Sequence, residues 1–136
     1  RLCMQNISEH NFSELLGQSV KEINPEVNLP LIIVFEDGHL TVECAWRIRN
    51  RREVQVGKPD YELTNSDGSR FRKITRKLLL NRKVQKVHHF SPISDLTIEF
   101  DKNIFLDIFH DSSFFEGWQL SIGDDLHISL PGGSLG

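Results

Sequence analysis

The sequence has few of the residues on which disulfide-rich, metal-binding and membrane-spanning proteins depend. Only two of its 136 residues are cysteines, Cys3 and Cys44, which is too few for a disulfide framework. Six histidines are present, but no His-x-x-x-His or Cys-x-x-Cys spacing occurs, so we expect neither a metal site nor a cofactor. No run of 18 apolar residues occurs either, so we expect no membrane-spanning helix.

The sequence also lacks the signals of secretion and of nucleophilic catalysis. It does not open with a basic segment followed by an apolar stretch, as secretory signals do, so we expect a cytoplasmic protein. His110 and Asp111 are adjacent, as in half of a catalytic relay, but no Ser or Cys lies in a recognisable nucleophile motif. We therefore expect a binding protein, and we assign no catalytic residue.

What the chain does contain is a segment that occurs twice. Residues 31–46 read LIIVFEDGHLTVECAW and residues 96–109 read LTIEFDKNIFLDIF, so both begin Leu-x-Ile-x-Phe and turn at an acidic residue into a second apolar strand. Each copy is too small to bury a core of its own. The sequence therefore predicts a single domain over 1–136, with related halves at about 11–49 and 69–110 and a C-terminal hairpin at 117–130.

The local patterns predict an α+β fold with mostly antiparallel strands and two helices. Asn11 and Glu14 form a capping box, which predicts a first helix over roughly 12–17. Amphipathic spacing predicts a second helix from about Ser69 to Leu80. Each helix precedes a three-strand meander, and residues 49–70 form a long loop with room for a short strand at 53–56.

Three turns define the predicted hairpins. Asp37-Gly38 forms a two-residue loop, whereas 101–103 and 123–125 form three-residue loops, and Asn103 can take the left-handed conformation that such a loop requires. The loops predict these pairs across them: Phe35 with Leu40, Phe100 with Ile104, and Ile122 with Leu126.

The net charge of −3 conceals a strong separation of charge along the chain. Residues 1–45 contain two Lys/Arg and seven Asp/Glu, residues 46–94 contain thirteen and four, and residues 95–136 contain one and eight. This acid–base–acid order predicts surfaces of opposite sign, which concern partners rather than the fold. The alternative is that the acidic and basic segments neutralise each other within the domain.

The outer face of the second hairpin is a candidate partner-binding surface, because it mixes carboxylates with aromatic rings. Aromatic anchors inside a charged rim are typical of protein-binding patches, and acidic loops flank this face. The candidate residues are Asp95, Glu99, Phe105, Asp107, Phe109, Asp111, Glu116, Asp124 and Asp125. The alternative is that a helix covers the two Phe side chains and the carboxylates pair with the basic helix.

The second predicted helix carries a basic face, which is an alternative functional surface. Its cations are Arg70, Arg72, Lys73, Arg76 and Lys77. Several of them lie in the N-terminal turn, where the helix dipole disfavours positive charge. Either acidic neighbours compensate, or the face binds a partner such as a nucleic-acid backbone. The default interpretation is a solvated helix face.

Motifs at both ends of the chain resemble a group of small bacterial proteins. The motifs are Phe35-Glu36-Asp37-Gly38-x-Leu40, Trp46-Arg47-Ile48-Arg49, Gly117-Trp118-Gln119 and Leu130-Pro131-Gly132-Gly133. Proteins of this group are similar to the immunity proteins of polymorphic-toxin and contact-dependent inhibition systems. The resemblance implies a cytoplasmic protein that occludes the active site of a cognate toxin domain, often a nuclease. A nucleic-acid-binding regulatory domain that uses the helix at 69–80 is the alternative function.

Overall fold

The computed structural model describes residues 11–24, 30–63 and 69–136. Cys3 and part of the predicted loop at 49–70 lie outside these ranges. The described chain forms ten strands and two α-helices. The strands are β1 (Val20–Ile23), β2 (Leu31–Phe35), β3 (Gly38–Val42), β4 (Ala45–Arg49), β5 (Val54–Gly57), β6 (Val84–Phe90), β7 (Asp95–Phe100), β8 (Ile104–Phe109), β9 (Trp118–Ile122) and β10 (Asp125–Ile128). The helices are α1 (Lys58–Leu63) and α2 (Ser69–Leu79).

The strands form two antiparallel sheets of five strands each, which confirms the predicted α+β class. Sheet I has the order β1-β2-β3-β9-β10, and sheet II has the order β5-β4-β8-β7-β6. Each sheet contains one meander of three consecutive strands, β1-β2-β3 or β6-β7-β8. The two similar sequence segments thus occupy corresponding places in opposite sheets.

The sheets pack face to face over one hydrophobic core. The buried side chains of both inner faces belong to a single cluster, with alternating burial along β2, β7 and β9. Val84, at the start of β6, lies beside the entry to β1, whereas the His89 ring near its end lies 6.3 Å from the Trp118 ring. β6 therefore crosses sheet I from one side to the other, as in orthogonal sheet packing.

The chain passes between the sheets at Glu43-Cys44, within the run predicted to be one strand. Every second residue of this run is apolar, and Leu40, Val42, Cys44, Trp46 and Ile48 are all buried. However, β3 ends at Val42 and pairs with β9, whereas β4 starts at Ala45 and pairs with β8. The amides of residues 43 and 44 both donate to the carbonyl of residue 117 (2.9 and 3.1 Å), which satisfies the backbone at the crossing.

The two helices differ from the predicted pair. Residues 13–15 form only a 3₁₀ turn, and Asn11 accepts from the amide of Ser13 (2.8 Å) instead of capping a helix. The second predicted helix is confirmed as α2, and its fully buried positions are Thr75 and Leu79. The other helix, α1, lies in the region predicted to be a loop, after the short strand β5.

Turn geometry confirms one hairpin register and corrects two. Phe100 pairs with Ile104 as predicted, and Asn103 has the expected positive φ of 61°. In the first hairpin the loop is Glu36-Asp37, so Phe35 pairs with Gly38 rather than with Leu40. This shift of two positions leaves every side chain on its predicted face.

The C-terminal hairpin is shifted by one position, so the predicted faces of β10 are reversed. Ile122 pairs with Asp125 across a two-residue loop that begins with Gly123 at φ 56°. His127 therefore points into the core and packs 4.8 Å from the Phe12 ring, while Leu126 is 54% exposed. The predicted pairing of Ile122 with Leu126 is wrong because Gly123 permits the tighter turn.

Candidate protein-interaction site

The centre of the predicted partner-binding face is an internal ion cluster. Asp107 lies in the middle strand of sheet II with only 3% of its surface exposed. Its Oδ2 accepts from Nε of Arg47 (2.7 Å) and from Nε of Arg49 (2.6 Å), and its Oδ1 accepts from the Thr97 hydroxyl (2.9 Å). Asp107 therefore stabilises sheet II and is not available at the surface.

The environment of Asp107 favours its ionised form. Burial alone would raise the pKa of this carboxyl, but hydrogen bonds from Arg49, Arg47 and Thr97 outweigh it and hold the pKa below its usual value. Arg47 and Arg49 come from β4, sixty residues away in the chain. They reach the carboxylate because Arg47 pairs directly with Asp107, and Arg49 lies two pairs further along β4, on the same face of the sheet.

The two phenylalanines of this face are covered by arginines rather than by a helix. The guanidinium of Arg49 lies 4.4 Å from the centre of the Phe105 ring, and that of Arg47 lies 5.1 Å from the Phe109 ring. Phe105 is buried, whereas Phe109 remains about one-third exposed at the end of β8. The face therefore mixes charges of both signs instead of presenting carboxylates alone.

The remaining predicted carboxylates fall into separate places. Glu99 is the cross-strand partner of Phe105 in sheet II. Asp95 accepts from the amide of His110 (2.8 Å). Asp124 and Asp125 lie at the tip of the β9–β10 hairpin in sheet I, whereas Gly117 lies at the opposite end of β9. Since β9 spans five residues, roughly 15–20 Å of strand separates them from Asp111 and Glu116.

The segment between β8 and β9 presents two aromatic side chains that sequence reasoning did not single out. We name residues 111–117 the aromatic loop. Phe114 and Phe115 in this loop are 76% and 67% exposed, and their rings contact each other edge to face at 5.0 Å. Single exposed apolar residues are ordinary, but two adjacent exposed aromatic rings mark a potential docking point.

Hydrogen bonds hold the aromatic loop in shape. The Ser112 hydroxyl accepts from the amides of Phe114 (3.0 Å) and Phe115 (2.8 Å), and the Ser112 carbonyl accepts from the amide of Gly132 (3.0 Å). A serine that binds the amides two and three residues ahead stabilises a turn. The two rings are thus displayed on an ordered turn that is fixed to the C-terminal segment.

A half-buried histidine–serine contact anchors both ends of the loop. Nε2 of His110 donates to the Ser112 carbonyl (2.6 Å), so Nδ1 accepts from the Ser129 hydroxyl (3.0 Å). The same hydroxyl accepts from the amides of Gly117 (3.1 Å) and Trp118 (2.8 Å). Ser129 is fully buried, and all its hydrogen-bonding capacity is used, so this contact holds the loop in place.

Gly117 closes the loop where no side chain would fit. A Cβ at this position would lie 2.6 Å from Nδ1 of His110, 2.7 Å from Oγ of Ser129 and 3.3 Å from Sγ of Cys44. Burial, and secondarily Asp111, raise the pKa of the Cys44 thiol to about 12. Close packing therefore fixes the loop at the point where it enters β9.

The chain segment that forms the aromatic loop is apolar and acidic. Ile93, which is exposed, packs against Gly133, and the adjacent Gly132 bonds to Ser112. Asp111 and Glu116 lie in the loop itself, and residues 103–136 contain no Lys or Arg. Of the predicted partner-binding residues, the structure thus brings Asp95, Asp111, Glu116 and the exposed Phe109 to this end of the domain.

A sequence signal for the missed rings exists. Phe114-Phe115 follows Ser112-Ser113 and precedes Glu116-Gly117, so the pair lies in a short polar segment between two strands. Adjacent residues on such a turn cannot both point into a core that the flanking strands already fill. Two aromatics in a turn-forming segment therefore predict exposed rings.

Two other kinds of feature are absent from the described residues. None of the described helices is long and apolar enough to cross a membrane. Within the same residues, no group of three or more His, Cys, Asp or Glu side chains is arranged to hold a metal ion. Comparison with protein-family models, curated proteins and solved structures found no match to the chain.

Proposed function

We propose that this chain is a protein-binding domain, specifically an immunity protein that neutralises a cognate bacterial toxin domain in the cytoplasm by occluding its active site. The observation that carries the proposal is the aromatic loop, which holds Phe114 and Phe115 in solvent on a hydrogen-bonded turn. The resemblance of the hairpin and Trp-Arg-Ile-Arg motifs to immunity proteins supports the same function. Neutralisation by occlusion requires no catalytic residue.

Local charge favours a basic partner. Asp111 and Glu116 flank the two rings, and the segment that carries them has no cation to neutralise them. A nuclease-type toxin domain fits this chemistry, because its active-site cleft is lined with cations that bind substrate phosphates. Carboxylates would accelerate the encounter, and aromatic rings buried in the cleft would slow dissociation.

The fixed shape of the aromatic loop before binding favours high affinity. Binding costs free energy for each side chain and loop that must be immobilised, and this loop is already fixed at Ser112, His110 and Gly117. Buried aromatic anchors at interface centres cost about 2 kcal/mol or more each when truncated to alanine. Loss of both rings is therefore expected to weaken binding by a factor of about 10³.

The test is co-expression of this chain with candidate toxin domains, starting with the product of the neighbouring gene. The wild-type chain should restore growth, and Phe114→Ala combined with Phe115→Ala should abolish the rescue. The matched control combines Leu126→Ala with Val54→Ala, which removes comparable exposed apolar surface elsewhere and should leave rescue intact. Calorimetry with the purified domains should show the same order of affinities.

Charge reversal separates steering from anchoring. Asp111→Lys with Glu116→Lys should slow association at low salt, whereas Asp124→Lys with Asp125→Lys makes the same change of net charge at the far hairpin and should have little effect. Absence of rescue by the wild-type chain would refute the immunity function. Rescue that survives loss of both rings would refute only this surface.

A further inference from the structure

The exposed side of α2 carries a stripe of positive charge. Over residues 69–94 the chain has eight Lys or Arg and no Asp or Glu. Four of these cations are exposed on the helix: Arg70, Lys73, Arg76 and Lys77. Residues 70, 73 and 77 follow the i, i+3, i+7 spacing of one helix face, so the stripe is about 10 Å long.

The opposite side of the helix is committed to the fold. Thr75 and Leu79 are fully buried, and Thr75 also contacts the hydroxyl of Tyr61 in α1 and donates to the Phe71 carbonyl (2.8 Å). α2 lies against β1 and β5, at the side of the sandwich where each sheet ends. The cationic stripe is therefore held on a rigid, fixed helix.

The stripe places positive charge where the dipole of α2 disfavours it. The first turn of α2 has no acidic residue and begins with a cation at position 70, where the helix dipole disfavours positive charge. Lys73 and Lys77 form no ion pair with any residue that the structure describes. Positive charge at an unfavourable helix position is typical of a functional surface.

We infer that this face of α2 is a second binding site, which takes the phosphate backbone of duplex nucleic acid independently of sequence. Phosphates match the stripe in charge, and the net charge of −3 does not oppose binding strongly, because charges beyond about 10 Å are screened at 0.1 M salt. This site is separate from the aromatic loop and does not depend on the proposed immunity function.

Two other polyanions fit the face less well. Single-strand binders need exposed aromatic rings beside their cations, but the aromatic residue of α2, Phe71, is half-buried between Tyr61 and Arg70. A membrane surface binds amphipathic helices through an apolar side, but that side of α2 is buried in the core. Duplex nucleic acid requires neither feature.

The test is fluorescence anisotropy of the full chain with a labelled 20-base-pair DNA duplex at 50–200 mM salt. Four phosphate contacts predict a slope of log K against log salt of about −3.6, which is a loss of roughly a hundredfold over this range. Lys73→Glu with Lys77→Glu should reduce the slope to about −1.8 and weaken binding at 50 mM salt at least 30-fold. Lys73→Gln with Lys77→Gln should reduce the slope equally, without introducing repulsion.

The matched control is Arg52→Glu with Lys102→Glu, which makes the same change of net charge at exposed positions outside α2. It should change the affinity less than threefold, and a second duplex of unrelated sequence should bind equally well. Thermal unfolding of each variant verifies the fold. The inference is overturned by absence of binding at 50 mM salt, by equal losses in the control, or by tighter binding to a single-stranded 20-mer or to phosphatidylserine vesicles.

Discussion

Replacing Asp107 should reduce the stability of the domain rather than only its binding surface. The carboxylate is almost completely buried and accepts from Arg47, Arg49 and Thr97. Removing one partner of a buried ion pair costs about 3–5 kcal/mol, because the remaining charge loses its partner. Here the side chains of Arg47 and Arg49 are 45% and 29% exposed, so water replaces part of the lost interaction. We therefore expect Asp107→Ala to lower the free energy of unfolding by about 2–3 kcal/mol.

Urea denaturation measures this change directly. Trp46 and Trp118 are both buried in the core, so their fluorescence reports global unfolding. With m between about 1 and 3 kcal/mol/M, the midpoint should fall by about 0.7–3 M while m stays constant. Asp107→Asn retains the shape and one acceptor oxygen, so we expect a smaller loss of about 1–2 kcal/mol. The control Asp125→Ala, at an exposed position, should cost less than about 0.5 kcal/mol.

The pH dependence of the unfolding free energy tests independently whether the ionised Asp107 carboxylate stabilises the domain. The pKa of Asp107 is lower in the folded state than in the unfolded chain, whose value is about 3.9. The ion cluster therefore contributes its full stability above about pH 5 and loses it as the pH falls through the folded pKa. The difference in unfolding free energy between wild type and Asp107→Asn should be constant from pH 5 to 8 and shrink below pH 4. A loss under 0.5 kcal/mol for Asp107→Ala, or a difference that does not shrink between pH 5 and pH 3, would refute the assigned role.

Three further predictions test packing, register and thiol burial. Gly117→Ala should lower the unfolding free energy by about 1–3 kcal/mol, seen as a lower Tm, because its Cβ would lie 2.6 Å from the nearest side-chain atom. Leu126→Lys should cost less than about 0.5 kcal/mol and His127→Lys more than about 2, and the reverse order would contradict the observed β10 register. In a Cys3→Ser background, Cys44 should react with a disulfide reagent at pH 8 only after unfolding, because its pKa of about 12 leaves almost no thiolate.

Local patterns predicted the elements whose geometry is set by neighbouring residues. The alternation along β2, β7 and β9 follows the two-residue period of a strand, and the 101–103 loop followed from the left-handed preference of Asn103. The predicted β10 register is wrong because two turn lengths are compatible with the same residues, and Gly123 selects the shorter one. The helix predicted from the capping box at Asn11 does not form, because the following segment is too short to sustain a helix.

Features that depend on distant residues were beyond a local pattern. No periodicity indicates that β3 and β4 belong to different sheets, because the inward-facing residues alternate without interruption across the crossing. The same limit applies to Asp107, whose arginine partners are sixty and fifty-eight residues away. The sequence indicates the mixture of carboxylates and phenylalanines on the second hairpin. It does not indicate that β4 pairs with β8 and supplies the arginines that neutralise Asp107.

Contacts with distant residues explain why the sheet II face is a weaker candidate for a binding surface than the aromatic loop. Side chains on neighbouring strands lie about 5 Å apart, so charges and rings on a sheet face satisfy one another within the domain, as those of Asp107 and Phe105 do. A loop fixed at its ends by a sheet has no such neighbours on its outer side. Phe114 and Phe115 therefore remain exposed despite their ordered backbone, and burying them requires a surface that another molecule supplies.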